Sequence, residues 1–274
     1  MDGRWSRRGF LMAGAAVALA GCGAQKQQAA SAPTTTTTKA TTQAAVDATS
    51  VSNLVWRSSI GDVKMVVMRP RDVAGALPVC LALHAEGADA TQFVGLDLPP
   101  LLTATVRAGT KPFAIVAVDG GAKTWLGPAQ KMLAEELPDW LARTELAATP
   151  FAALGVGGGA VGAFEYARTP GLSLLAAVSP AVYGSWDDAR SSGIYANQQE
   201  WERAEPTRNL TAISSLPVSV WCGTEDPQYA AAREFADRAR ANPAAFSGGG
   251  HNADYWKRIM PEVLRFIGES LGKR

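Results

Sequence analysis

The sequence predicts one α/β domain, a mostly parallel sheet with helices on both faces. Short, continuous apolar runs, typical of strands that are buried on both faces, alternate with segments whose apolar residues recur at helical spacing. This alternation continues through residues 52–271, a length that suits one domain of this class. Polar and glycine-rich loops follow several strand-like runs, and ligands of such sheets bind beyond the carboxyl ends of the strands.

The predicted elements begin with two strand-like stretches within residues 54–68, which flank a turn at Gly61-Asp62. Buried strands and amphipathic helices then follow one another along the chain. The later predicted strands cover residues 79–83, 113–118, 151–154, 174–178 and 218–222. The predicted helices cover residues 98–108, 129–145, 160–168, 230–241 and 255–271. We expect a kink or break near Pro138, because proline cannot donate a backbone hydrogen bond within a helix.

Residues 1–22 predict an export signal with a lipidation site at its end. Arg7 and Arg8, followed by Gly-Phe-Leu, are typical of signals for the twin-arginine (Tat) route. An apolar run over residues 10–20 leads into Leu-Ala-Gly-Cys22, which resembles a bacterial lipoprotein cleavage site. A transmembrane anchor is the alternative, but this run has 11 residues and a membrane span needs about 20. We therefore expect a Tat-type lipoprotein signal peptide, with lipidated Cys22 anchoring the exported protein to the outer face of the cytoplasmic membrane, in the cell envelope.

Residues 23–51 predict a flexible tether between this anchor and the domain. They are rich in Ala, Thr, Gln and Ser, and without apolar periodicity they cannot form a core. The formal net charge of the chain is +1 and no basic patch stands out, so nucleic acid is not an expected partner.

Cys80 and Cys222 lie in apolar strand-like runs of the domain. A disulfide between them would suit an oxidising compartment, whereas folding in a reducing cytoplasm before export favours two buried free thiols. The sequence leaves both alternatives open.

A glycine-rich turn follows the strand predicted at residues 151–154. The chain continues as Gly155-Val-Gly157-Gly-Gly and then enters the helix predicted from Ala160. In serine hydrolases, a strand, a sharp turn of pattern G-x-S-x-G and a helix present the nucleophile. Gly157 occupies the serine position of that pattern. The backbone there is strained, with a positive φ that glycine adopts readily, so the turn can persist without the hydroxyl.

Residues 157–162 also match G-x-G-x-x-G, the dinucleotide-binding pattern, after a strand and before a helix. The next predicted strand ends in Val178-Ser-Pro, without the acidic residue that would bind a ribose. Export would also separate the protein from nicotinamide pools. These features argue against a nucleotide-binding enzyme.

The chain has two histidines, and both lie in loops at predicted strand ends. His84 follows the strand at residues 79–83, and His251 precedes the last helix. Asp226 follows the strand at residues 218–222, so the chain order is turn, acid, histidine, as in hydrolase triads. In a triad, the histidine takes the proton of the nucleophile and the acid orients the histidine. Taken alone, each residue also fits a plainer role in a turn or a loop.

Six motifs in this order make the domain resemble the esterase family of α/β-hydrolases that includes esterase D, feruloyl esterases and mycolyltransferases. They lie at residues 83–87, 117–121, 155–159, 178–181, 222–227 and 249–256. The resemblance implies an α/β-hydrolase fold and the chemistry of carboxylic-ester hydrolysis without a cofactor or a metal. It gives Asp226 and His251 the acid and base positions, so we expect them within hydrogen-bond reach, with His251 facing Gly157. It also implies an oxyanion hole in the region of Ala85, Glu86 and Gly158.

The departures from the family pattern lie in the same site. Gly157 replaces the nucleophile serine, Ala85 replaces a glycine of the oxyanion loop, and Leu126, after Trp125, replaces a residue that is often polar. We therefore expect a catalytically silent or impaired protein that binds an unknown ester, a lipid-like ligand or an envelope protein. The alternative is an active ester hydrolase or acyltransferase that uses a non-serine route, such as water activated by His251.

Overall fold

The computed structural model describes residues 48–120 and 125–272. The predicted signal peptide (residues 1–22), the lipidation site at Cys22 and most of the predicted tether (residues 23–51) lie outside the described residues, so they stay predictions. No helix in the described ranges combines the length and the apolar character that a membrane crossing requires.

The domain is built on an eight-stranded sheet with the strand order β1-β2-β4-β3-β5-β6-β7-β8 in the described part of the chain. The strands are β1 (Thr49–Ser58), β2 (Gly61–Pro70), β3 (Val79–Leu83), β4 (Ala114–Val118), β5 (Ala152–Val156), β6 (Leu174–Val178), β7 (Val218–Gly223) and β8 (Ala244–Ser247). Strands β3 to β8 run parallel, whereas β1 and β2 form a hairpin that joins the sheet antiparallel to β4. The mostly parallel sheet predicted from the buried apolar runs is thus confirmed.

Helices cover both faces of the sheet. They are α1 (Gln92–Gly95), α2 (Leu98–Arg107), α3 (Pro128–Glu135), α4 (Leu137–Arg143), α5 (Gly158–Tyr166), α6 (Trp186–Ala189), α7 (Gln198–Ala204), α8 (Tyr229–Ala239) and α9 (Ala253–Gly272). One core packs α3, α4, α5 and α8 against alternate strand residues such as Leu81 and Val116. The other core packs α1, α2 and α9 against residues such as Ala82 and Ile115. Each strand from β3 to β7 is buried along its whole length, which explains its continuous apolar sequence.

The break expected near Pro138 is confirmed: the segment predicted over residues 129–145 forms two helices, α3 and α4, and Pro138 lies in the first turn of α4. The structure differs from the predicted elements in two other respects. Strand β8 and helices α1, α6 and α7 were not predicted, since segments this short give little periodic signal. Strand β1 begins at Thr49 and so includes residues that the prediction assigned to the tether.

Cys80 and Cys222 are both buried free thiols. Cys80 points into the core beneath α2 and α9, whereas Cys222 points into the core on the opposite face of the sheet. The disulfide alternative is therefore wrong, and burial raises the pKa of both thiols.

Candidate active site

The turn between β5 and α5 has the sharp geometry that the sequence predicts. Gly157 has φ 56° and ψ −125°, a positive φ that costs other residues about 1–3 kcal/mol. Close packing also requires a small residue two positions later, because a Cβ at Gly159 would collide with the Leu83 carbonyl oxygen. The strand, turn and helix are therefore intact, with no side chain at residue 157.

Asp226 and His251 lie side by side in the loops that follow β7 and β8. His251 Nδ1 donates a hydrogen bond of 3.0 Å to Asp226 Oδ2, and the Gln228 N–H donates one of 3.0 Å to Asp226 Oδ1. The imidazole packs edge-on against Trp256, with ring centroids 5.2 Å apart. Its Nε2 faces the turn, since a Cβ at Gly157 would lie 3.1 Å from that atom. The structure thus brings together the three residues that the chain order linked.

The side chain of Glu86 also enters this site, from the loop that follows β3. Glu86 Oε2 accepts a hydrogen bond of 2.6 Å from the Gly158 N–H, and Glu86 Oε1 lies 3.5 Å from His251 Nε2. A Cβ at Gly157 would approach Glu86 Oε2 to 2.7 Å. The carboxylate therefore lies in the space that a side chain at residue 157 would need.

The region in which we expected an oxyanion hole has its N–H donors engaged by the protein itself. The Gly158 N–H points to the Glu86 carboxylate, as described, while the Ala85 N–H donates a hydrogen bond of 2.9 Å to Gln92 Oε1. The methyl group of Ala85 is buried and would lie 3.2 Å from a Cβ at Gly157. Ala85 and Glu86 thus line the site, but they present a methyl group and a carboxylate to it.

The charges of Asp226, His251 and Glu86 stabilise one another. Burial opposes a charge on His251, but its hydrogen bond to Asp226 and the Coulomb attraction of the Asp226 and Glu86 carboxylates outweigh it and raise its pKa to about 9. Burial likewise opposes the charges on both carboxylates, yet contact with His251 and with backbone N–H groups lowers the pKa of each. At neutral pH the site therefore holds an imidazolium between two carboxylates.

His84 has a structural role in its loop, the alternative that the sequence left open. His84 Nδ1 donates a hydrogen bond of 2.8 Å to the Ala85 carbonyl oxygen, and its Nε2 accepts one of 3.4 Å from the Gly120 N–H. The ring packs edge-on against Trp125 at 4.8 Å. Burial lowers the pKa of His84, so the ring is neutral and both nitrogens are used in holding the loop.

Sequence reasoning missed the segment between β6 and β7 that packs beside the site. Ile194 lies next to the turn, 3.3 Å from where a Cβ on Gly158 would be. Glu205 is buried and anchors the segment by accepting hydrogen bonds from the Tyr195 hydroxyl at 2.9 Å and the Tyr183 N–H at 3.2 Å. Leu126, which replaces an often polar residue, belongs to the same apolar cluster. The aromatic residues of this stretch were the available signal, but their spacing fits neither a strand nor a long helix.

No protein-family model and no curated protein matches this chain. Its fold is nevertheless shared with solved structures. A ferulic acid esterase superposes with a TM-score of 0.67 at 16% identity, over 81% of this chain and 98% of that chain. A fluorophosphonate-binding serine hydrolase of Staphylococcus aureus superposes with a TM-score of 0.65 at 16% identity, over 80% of this chain and 98% of that chain.

The chain has the α/β-hydrolase fold. An S-formylglutathione hydrolase of Staphylococcus aureus, at 15% identity and a TM-score of 0.63 over 80% of this chain and 98% of that chain, shares it too. The fold class inferred from the resemblance is thus confirmed. The neighbours are esterases and related hydrolases, but at these identities the likeness concerns the fold and leaves the chemistry of this chain to its own residues.

Proposed function

We propose that this chain is an exported, lipid-anchored protein with an esterase-like fold that has lost serine-hydrolase chemistry and binds a ligand or partner in the cell envelope. The observation that supports the loss of serine-hydrolase chemistry is at Gly157. The turn offers no hydroxyl there, and the Glu86 carboxylate lies 2.7 Å from where a Cβ would be.

The physical argument concerns both the nucleophile and the transition state. Covalent ester hydrolysis needs a nucleophile within reach of the base, and removal of the serine from a triad lowers kcat on the order of 10⁶-fold. The tetrahedral intermediate also carries a negative charge that backbone N–H groups must stabilise. In this chain, the Gly158 N–H already binds the Glu86 carboxylate at 2.6 Å, and a second negative charge there would be repelled.

A second candidate is an ester hydrolase or acyltransferase that uses a non-serine route. The observation that favours it is the oriented pair of Asp226 and His251, whose hydrogen bond of 3.0 Å is the geometry of an acid and a base. In that case a water molecule activated by His251 would attack the ester.

Ester turnover by the purified protein separates the two candidates. We expect the wild type to hydrolyse p-nitrophenyl acetate no faster than the His251→Ala variant, and to remain unlabelled by a fluorophosphonate probe. The His84→Gln variant, which changes the other histidine, is the matched control. Wild-type turnover that disappears in His251→Ala but persists in His84→Gln would favour the non-serine route instead.

The lipid anchor is supported by the twin arginine and by Leu-Ala-Gly-Cys22. We expect Cys22→Ala to block processing or to release the protein from the membrane, because the thioether that carries the lipid can no longer form. Fractionation and the electrophoretic size of the product measure this. A variant that stays in the membrane fraction at the wild-type size would contradict the anchor.

A further inference from the structure

Two positively polarised groups converge on one point beside Gly157, and the chain itself supplies the anion between them. The groups are the Gly158 N–H and His251 Nε2. We name the position between them the carboxylate site. We propose that this is an anion-binding site that accepts a carboxylate, and that Glu86 is its resident ligand, which closes the site from within. The inference rests on the proposed function and deepens it, since it names what occupies the place of the missing nucleophile.

The geometry matches one carboxylate with two partners. Glu86 Oε2 accepts a hydrogen bond of 2.6 Å from the Gly158 N–H, while Glu86 Oε1 lies 3.5 Å from His251 Nε2. The backbone N–H of Glu86 also stabilises its own carboxylate. Because Gly158 begins α5, the positive end of the helix dipole adds to the attraction.

The absence of a side chain at residue 157 is what makes room for this ligand. A Cβ at Gly157 would lie 2.7 Å from Glu86 Oε2, closer than side-chain carbons approach such atoms. A side chain at residue 157 would therefore require the end of the Glu86 side chain to move out of this position. Gly157 leaves room for the side chain of Glu86, and the chain's own carboxylate takes the place of a bound acid.

The charge balance favours the occupied state. The titratable groups that face His251 are Asp226 on Nδ1 and Glu86 on Nε2, and the two carboxylates hold the imidazole protonated. Two other titratable groups near the carboxylate, Tyr183 and His84, are neutral at neutral pH, because burial raises the pKa of Tyr183 to about 12 and lowers that of His84. A protonated His251 cannot accept a proton, so Asp226 and Glu86 together keep it from acting as a base, and Glu86 also occupies the space beside Gly157.

Glu86 reaches the site from the solvent side. Its side chain is 42% exposed, whereas that of Asp226 is fully buried. A carboxylate-bearing small molecule therefore has access to the site once the side chain of residue 86 is shortened. This difference in exposure allows the site to be tested with a carboxylate added from solution.

Histidine side-chain NMR of the full protein tests the proposal, with formate as the probe. We expect Glu86→Gln to lower the pKa of His251 by more than one unit and to leave His84 unchanged. In Glu86→Ala, added formate should restore the high pKa of His251 in a saturable manner, while the wild type should not respond. Glu225→Gln, which neutralises another loop carboxylate near the site, is the matched control and should leave the pKa of His251 as it is.

Two results would overturn the proposal. One is an unchanged pKa of His251 in both Glu86 variants, and the other is an equal response of the wild type and Glu86→Ala to formate. The pKa readout does not depend on turnover, so the proposed function can fail separately. Ester hydrolysis by the wild type that requires His251 would contradict catalytic silence whatever the NMR result.

Discussion

The two histidines lie in loops at the same edge of the sheet and differ in what their ring nitrogens contact. His84 contacts a backbone carbonyl oxygen and a backbone N–H, which together suit a neutral ring. His251 contacts the carboxylates of Asp226 and Glu86, which suit a protonated ring. The pKa of His84 is accordingly lowered by burial, while that of His251 is raised to about 9 despite burial.

The comparison teaches that neighbouring side chains decide what a histidine at a strand end does. Both rings are mostly buried and both pack edge-on against a tryptophan. Burial alone would make both neutral. The carboxylates on either side of His251 are therefore what distinguishes the candidate site from a structural contact.

The largest expected effect comes from restoring a hydroxyl while removing the second carboxylate. In the double variant Gly157→Ser with Glu86→Ala, the new Oγ would face a His251 that is free to accept its proton. We expect its fluorophosphonate labelling to be at least about 10²-fold faster than that of the same variant with His251→Ala added, the scale of general-base catalysis.

Gly157→Ser alone should label weakly or not at all, because its Cβ meets the Glu86 carboxylate and His251 stays protonated. The triple variant that adds His251→Ala is the control for base dependence. Equal labelling of the single and the double variant would show that Glu86 does not limit the site.

The next largest expected effect is on the pH dependence of the free energy of unfolding, to which the two histidines should contribute in opposite directions. The pKa of His251 is about 9 in the folded protein and near 6.5 in the unfolded chain, so its contribution is complete below pH 6.5 and is lost as the pH rises towards 9. This loss amounts to at most about 1.4 kcal/mol per pH unit in the free energy of unfolding, and we expect it to be smaller in His251→Ala. Urea unfolding between pH 6 and pH 9 measures it, and a slope that is the same with and without His251 would contradict the ion pairs.

His84 should act in the opposite direction and at lower pH. Its folded pKa is lowered, so the unfolded chain binds a proton first and stability falls as the pH drops below about 6.5. We expect His84→Gln to reduce this loss between pH 7 and pH 5, measured by the same unfolding experiment. His251→Ala is the control. Carboxylates also titrate towards the lower end of this range. The quantity to compare is therefore the difference in the free energy of unfolding between the variants at each pH.

The smallest expected effect concerns the hydrogen bond that holds the His84 loop. Trp125 Nε1 donates a hydrogen bond of 2.9 Å to the His84 carbonyl oxygen. Trp125→Phe removes that donor, and we expect a loss of about 1 kcal/mol in the free energy of unfolding. The pKa of His251 should not change. A shift of that pKa in Trp125→Phe would mean that the two histidines are coupled through the loop.

The sequence was sufficient to predict strands β1 to β7 and part of the site, but not strand β8. Strands β3 to β7 are buried on both faces, and their continuous apolar runs predict that burial. Asp226, His251 and Gly157 come together because the carboxyl ends of parallel strands share one edge, so chain order was enough to link them.

The position of the Glu86 carboxylate could not be predicted in the same way. It depends on the path of the loop after β3 and on the absence of a Cβ at Gly157, which lies in another loop. No local pattern records such a contact between loops. The segment that carries Ile194 and Glu205 was missed for a related reason, since it is held by individual side-chain contacts rather than by a repeating apolar face.

The separation of Cys80 and Cys222 on opposite faces of the sheet bears on how the protein matures. The described fold contains the same covalent bonds whether its surroundings are reducing or oxidising, because neither thiol has to find a partner. The domain therefore needs no oxidase or disulfide isomerase to reach its native state. A chain with that property can complete its folding on one side of a membrane and keep the same structure on the other.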